Sequence, residues 1–290
     1  MTRRRPFWLN RKIDFRRMHG TEDCLSGLRI HTVCHQARCP NITECFQNRT
    51  ATFLILGDTC TRNCAFCAVS KGKPQPPDPN EPHAVAEAAS RLGLRHVVVT
   101  SVTRDDLPDG GAGYFAATIN RLRFALPDAR VEVLVPDFLG REESIRTVIE
   151  AEPDIFAHNI ETVPALYRTR SGSDYYRSLA VLAAAKRINP CIKTKSAILL
   201  GMGETDEEVK RTLHDLRTAG CDLLAIGQYL RPGAENLPVA RYVTPERFEV
   251  WRRTAFSMGF LHVESGPYVR SSYHAADYLP SDDGARNEAM

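Results

Sequence analysis

From residue 51 onward, short apolar runs alternate with longer amphipathic ones. The short runs are ATFLILG (51–57), HVVVTSV (96–102), VEVLVPDF (131–138), DIFAHNIE (154–161), IKTKSAILLG (192–201) and LLAIGQYL (223–230). They are mostly rich in β-branched residues, and continuous apolar runs of that length suit strands buried on both faces of a parallel sheet. Helices are predicted between them over 82–93, 114–126, 141–152, 175–188, 205–220 and 244–259. The last two carry clear boundary signals. Thr205 and Thr244 stand at the N-caps, Pro245 at a first helical position, and Gly220 and Gly259 at the ends. Six β/α repeats make either a barrel or an open doubly wound sheet. Polar residues and glycines gather at the carboxyl ends of several strands instead of at one switch point, which favours a barrel. With six units the expected fold is a partial, laterally open (β/α)6 TIM-type barrel over 51–260. An N-terminal extension (1–50) and a C-terminal segment (261–290) should cover parts of it.

Composition narrows the class. With 43% hydrophobic and 25% charged residues, most of the chain is expected to fold. No apolar run approaches the roughly 20 residues that cross a bilayer. A net charge of +3 is too small to argue for nucleic acid. Arginine and lysine crowd the first 17 residues, which reads either as a solvated tail or as a docking segment for an acidic protein. That stretch has little serine, so it is taken as part of the mature protein and not a transit peptide. Nine cysteines without a signal peptide do not suggest a disulfide framework. Clustered thiols point instead to metal ligands in a reducing cytoplasm. Cys191 and Cys221, which border apolar runs, read as small buried hydrophobes. Cys24 is assigned nothing.

Six of the cysteines form two triplets. Cys60, Cys64 and Cys67 are spaced C-x3-C-x2-C directly after the first predicted strand. Structural zinc asks for four protein ligands, usually as two separated pairs. Three thiolates on one short loop instead suit three irons of a cubane cluster, leaving one iron open for a substrate or cofactor. Cys34, Cys39 and Cys45 are spaced C-x4-C-x5-C. Spacing alone leaves this triplet between a zinc site completed by His31 or His35 and a second cluster short of one protein ligand.

The C-x3-C-x2-C loop with Phe66 before its last cysteine resembles the signature of the radical S-adenosylmethionine (SAM) superfamily. TVCHQARCPNITECF joined to GDTCTRNCAFCAV resembles the lipoyl synthase family more narrowly. The likeness continues through SVTRDDLPDGGA, VEVLVPDF, HNIETVPALY, TKSAILLGMGET, IGQYL, LPVARYVTP and GPYVRSSYHA, over about residues 6–277. It implies insertion of two sulfur atoms at C6 and C8 of an octanoyl chain on the lysine of a carrier. It also implies two 4Fe–4S clusters and SAM. The cluster on Cys60, Cys64 and Cys67 would cleave SAM to a 5′-deoxyadenosyl radical. The cluster on Cys34, Cys39 and Cys45 would give up its sulfides and be degraded. A serine of RSSY closes that second cluster in the family, here Ser271 or Ser272, with Ser272 favoured.

The likeness further implies SAM contacts from Phe66, Ser101, Gly110, Gly111, Asn159, Glu161, Lys195, Gly201, Gly203 and Glu204, with Arg270 near the sulfur-donating cluster. Asp105 and Asp106 read as salt-bridge partners of Arg104 instead of as general bases. The implied partners are an octanoylated lipoyl carrier domain or H protein, a flavodoxin- or ferredoxin-type electron donor, and an iron–sulfur carrier, with neither nucleic acid nor membrane. Ala157, Ser171, Ala225 and Asn236 depart from the family pattern, leaving room for a paralogue with another acyl or carrier preference. A biotin synthase-type enzyme would not predict the first triplet joined to RSSY. A simple electron carrier would leave the polar strand ends unexplained.

Overall fold

The computed structural model describes residues 5–10, 25, 27, 28, 30–47 and 51–279. Most of the arginine-rich N-terminal stretch, Cys24 and the tail 281–290 lie outside the described residues. An eight-stranded sheet has the order β1-β2-β5-β6-β7-β8-β9-β10. The strands are β1 (His31–Thr32), β2 (Thr52–Ile55), β5 (His96–Ser101), β6 (Arg130–Leu134), β7 (Ile155–Ala157), β8 (Lys193–Leu200), β9 (Leu223–Gln228) and β10 (His262–Gly266). β1 runs antiparallel to β2, and all other neighbours are parallel. The two ends of the sheet do not pair, so the barrel is partial, as expected. β3 (Thr59–Cys60) and β4 (Ser70–Lys71) form a separate two-stranded ladder around the cysteine loop.

All six predicted strands form, and β10 adds a seventh parallel strand beyond residue 260. The predicted strand 154–161 stops early because its second half leaves extended geometry. Glu161 takes φ +65° and rejoins the sheet by a single bridge to Ile198. The helices packed outside are α3 (Glu81–Leu92), α4 (Ala112–Ala125), α5 (Glu142–Glu150), α6 (Tyr175–Ile188), α7 (Asp206–Thr218) and α8 (Pro245–Ser257). Two short helices, α1 (Val33–Gln36) and α2 (Ile42–Gln47), precede them. Thr205 and Thr244 cap α7 and α8 as predicted, Thr205 in a reciprocal capping box with Glu208. The core lies between sheet and helices, with side chains such as Phe53, Phe115 and Phe156 fully buried. Cys221 is buried as expected, but Cys191 is exposed on the turn before β8.

A charged cluster lies toward the amino ends of the strands. Lys195, expected to contact SAM, instead places its Nζ 3.0 and 3.1 Å from the Glu132 carboxylate. It also sits 3.5 Å from the centre of the Tyr278 ring. His96 Nε2 approaches the same carboxylate at 3.3 Å. Lys195 is the third residue of an eight-residue strand, well short of its carboxyl end, and its ammonium is taken up by Glu132. Removing one member of a fully buried pair strands the other charge. Lys195→Ala should therefore lower unfolding stability by about 3–5 kcal/mol, read by equilibrium urea denaturation.

Candidate active site: two cysteine loops bordering one cavity

The loop after β2 carries Cys60, Cys64 and Cys67, and its shape is set by bonds to four other segments. Thr61 donates its backbone N–H and its hydroxyl to the Thr103 carbonyl (3.1 and 3.0 Å). Ala65 N–H reaches the Thr169 carbonyl (2.8 Å), and Leu237 N–H reaches the Ala65 carbonyl (2.9 Å). Asn236 Nδ2 donates to the carbonyls of Ala65 (3.3 Å) and Cys67 (3.0 Å).

The strongest tie is Arg62. Its buried guanidinium is bidentate to Asp105 (2.7 and 2.9 Å) and also bonds both oxygens of Asp137 (3.0 and 2.7 Å). Ser173 accepts a further bond at 2.9 Å, and Arg177 reaches Asp137 at 2.9 Å. Asp106 pairs with Arg104 as expected, whereas Asp105 serves Arg62. Burial alone would raise the Asp137 carboxyl, but the Arg62 guanidinium reverses this and holds it well below the usual carboxylate range.

A cavity of about 850 Å³, within the size range of small-molecule sites, opens beside this loop. Cys67, Phe66, Ser101, Asn159 and Glu161 line it, as do Cys34, Cys39 and Arg270. The Ser101 hydroxyl is buried without a partner. Asn159 Nδ2 donates to Glu161 Oε1 (3.0 Å), and Arg170 Nη1 donates to the Asn159 carbonyl (2.7 Å). Burial raises the Glu161 carboxyl, with Arg170, Asn159 and Arg270 pulling the other way. The positive φ of Glu161 is a strained backbone position at the cavity wall, where such strain commonly serves a site.

A second, much smaller cavity of about 20 Å³ adjoins it, bordered by Cys34, Cys39, Cys45, Thr52, Arg270 and Ser272. Ser272 accepts a hydrogen bond from Thr52 Oγ1 (2.8 Å). Ser271 borders only the larger cavity and donates to Asn159 Oδ1 (3.0 Å). Burial pushes the Cys34 thiol up to about 11, although the Thr52 backbone bonds its sulfur. His35, considered above for zinc, has Nδ1 2.9 Å from Thr32 Oγ1. Among the described residues, no three His, Cys, Asp or Glu side chains converge as ligands of one metal ion would.

Six of the residues expected at SAM, Gly110, Gly111, Lys195, Gly201, Gly203 and Glu204, do not line the cavity. Gly110 and Gly111 start α4, and a Cβ on Gly111 (φ +93°) would come 2.3 Å from Leu56, so this glycine permits helix–strand packing. Gly201 (φ +100°) leaves room for Gln228 and the Arg241 carbonyl. Glu204 accepts the backbone N–H groups of Gly201 (2.7 Å), Met202 (2.9 Å) and Gly203 (3.1 Å), so its carboxylate is spent on the turn after β8. Sequence reasoning missed Arg62, Asp137, Arg170 and the loop-holding role of Asn236. A charged residue inside the cysteine loop was the available signal for Arg62.

The sequence model of the radical SAM superfamily matches residues 54–216, more than half of the chain. Two solved structures show the same fold. Methylornithine synthase superposes with TM-score 0.52 at 15% identity over 86% of this chain and 84% of that one. Streptococcus suis SuiB bound to its precursor peptide superposes with TM-score 0.57 at 10% identity over 73% of this chain and 48% of that one. The partial barrel and the cysteine loop at its mouth therefore define a radical SAM enzyme, a class that works with a 4Fe–4S cluster and SAM. Lipoyl synthase of Geobacter metallireducens is 56% identical over 275 residues, covering 95% of this chain and 97% of the relative. That of Caldanaerobacter subterraneus subsp. tengcongensis is 58% identical over 276 residues, with 95% and 97% covered. The chain belongs to the lipoyl synthase family.

The groups on hand suit such cofactors: three thiols on one loop, an orphaned Ser101 hydroxyl, and an Asn159–Glu161 pair facing the same space. Arg62→Met would leave Asp105 and Asp137 without their shared cation. The variant should lose about 3–5 kcal/mol of stability, as when a buried pair loses one partner, and bind less iron after anaerobic reconstitution. Because the Asp137 carboxyl is lowered, the stability it contributes is present above the ordinary carboxylate range and lost as pH falls through its folded value. The gap between wild type and variant should therefore narrow in strong acid, measured by urea unfolding across pH.

Proposed function

We propose that this chain inserts two sulfur atoms at C6 and C8 of an octanoyl chain carried on the lysine of a lipoyl carrier domain or H protein. The observation that carries the reading is that Cys67 of one triplet borders the same cavity as Cys34 and Cys39 of the other, with Arg270 in its wall and in that of the small cavity beside it. Cys60, Cys64 and Cys67 would hold the cluster that binds SAM, and Cys34, Cys39, Cys45 and Ser272 a second one. Thiolates on separate irons stand farther apart than ligands of one ion, which agrees with the lack of a convergent single-ion site among the described residues. When bound, the first cluster with SAM supplies a hydrogen-abstracting radical, and the second supplies sulfur.

The chain's own residues do the positioning. Arg62 and Asn236 hold the loop so that Cys67 and Phe66 face the cavity. Ser101, Asn159 and Glu161 offer hydrogen bonds to a polar cofactor. Apolar lining such as Leu54, Ala197 and Ile198 accepts an acyl chain and keeps water from a radical. Ser272 fits the role of closing ligand better than Ser271, because it borders the small cavity while Ser271 is turned toward Asn159. Oxygen is also a weaker match to iron than thiolate, so such a corner can be released when sulfur is withdrawn. A flavodoxin- or ferredoxin-type donor would supply electrons in the cytoplasm, and an iron–sulfur carrier would rebuild the spent cluster. No helix among the described residues is long and apolar enough to cross a membrane.

The deciding experiment incubates reconstituted protein with an octanoylated carrier peptide, SAM and a reductant under anaerobic conditions. The peptide should gain two sulfur atoms, less two hydrogens once the dithiol closes, as read by mass spectrometry. No gain in mass would overturn the reading. Cys60→Ala and Cys34→Ala should each remove one four-iron cluster, and SAM cleavage should vanish only in the first. Ser272→Ala should alter the spectrum of the second cluster, whereas Ser271→Ala should leave that spectrum unchanged.

A further inference from the structure

The mouth of the larger cavity carries charge that neither the acyl chain nor the cofactor explains. Arg5 from the N-terminal turn, Arg38 between Cys34 and Cys39, and Arg231 after β9 all border it. Arg5 and Arg38 are exposed and Arg231 is half-buried. Each bonds only to neutral acceptors among the described residues. Arg5 donates to the Tyr268 hydroxyl (3.3 Å) and Arg38 to the Pro232 carbonyl (3.3 Å). Arg231 donates to the carbonyls of Asn236 (2.8 Å) and Ala234. By contrast Arg62, Arg104 and Arg177 each face a carboxylate. The cavity lining includes one acid, Glu161, already bonded to Asn159. Phe7, in the same turn as Arg5, is 80% exposed, while Leu9 pins that turn with no exposed surface.

An octanoyl chain has no charge to meet three guanidinium groups. SAM, with its sulfonium and ammonium against one carboxylate, is a net cation that they would repel. Thiolate-held clusters are anionic too, but Arg270 borders the small cavity between the second set of cysteines, whereas Arg5, Arg38 and Arg231 do not, and Arg5 and Arg38 are exposed to solvent. A macromolecular anion is left. Resting on the activity proposed above, we propose that Arg5, Arg38 and Arg231 form a docking rim for an acidic face of the carrier domain around its acylated lysine, with Phe7 as the apolar anchor. Exposed arginines beside an aromatic residue are the composition enriched at protein interfaces. Rim charges of this kind speed and orient encounter more than they tighten the final complex.

The test measures association of an octanoylated lipoyl carrier domain with the reconstituted enzyme by stopped-flow fluorescence over a salt series. An R5E/R38E double variant should lower the association rate by about tenfold at low salt, flatten its salt dependence and change dissociation less. Phe7→Ser should act mainly on dissociation. A short, uncharged octanoyl-lysyl peptide should bind wild type and double variant within about twofold, because it lacks the acidic face. Equal association rates for wild type and double variant would overturn the rim, as would equal losses for domain and peptide. If the octanoylated and unmodified domains bound alike, the acyl-substrate reading would suffer, while the charge dependence would still decide the rim.

Discussion

Arg62 sits two residues past the first thiol of its loop and divides a buried charge between Asp105 and Asp137, so one side chain ties together connections that follow three different strands. Asp105 lies after β5 and Asp137 after β6, while Ser173, which also accepts from Arg62, precedes α6. A loop bearing three thiols gains little from hydrophobic burial, and its shape has to come from such polar ties. The guanidinium suits this because its fixed fork of donors satisfies two carboxylates at once, which a lysine ammonium does with less directionality. Thr61 and Ala65 reinforce the ties to the connection after β5 and to the segment before α6, and Asn236 adds one further segment. The geometry of the site is thus a property of the whole rim of the barrel.

Electrostatics divides the molecule into two regions. Toward the amino ends of the strands, Lys195 and Glu132 form a buried ion pair that His96 also approaches, and none of the three lines the cavities. At the opposite mouth, Glu161, Arg170 and Arg270 are half-buried with incomplete compensation. Arg170 bonds a carbonyl and hydroxyls, and Arg270 reaches the Val269 carbonyl (2.7 Å). A cluster carrying thiolates adds negative charge, so uncompensated cations beside two cysteine loops are the arrangement an iron–sulfur enzyme requires.

Much of the architecture was legible in the chain, for a simple reason. Parallel strands buried on both faces leave unbroken apolar runs, and helix caps such as Thr205 and Thr244 mark boundaries by local chemistry. The cysteine loops were legible because ligand spacing is local too. Distance along a strand was harder. Lys195 looked like a strand-end ligand, yet it lies near the start of β8 with its ammonium on Glu132. Gly201 and Glu204 looked like a cofactor strand, and in the structure the Glu204 carboxylate takes three nearby backbone N–H groups and the turn packs against Gln228 and Arg241. Asn236 was noticed only as a departure from pattern, since its contacts with the cysteine loop are made 169 and 171 residues away in sequence.

The position of Thr52 carries a mechanical consequence. Its hydroxyl meets Ser272, its backbone meets the Cys34 sulfur, and eight residues later the same chain reaches Cys60. β2 carries the chain three residues of that way, from Thr52 to Ile55, roughly 10 Å of stiff extended backbone at about 3.3 Å per residue. The strand therefore serves as a ruler between the two cysteine sites. On the proposed function, taking one inorganic core apart would leave the spacing undisturbed, and a replacement would be rebuilt at the same distance from its neighbour.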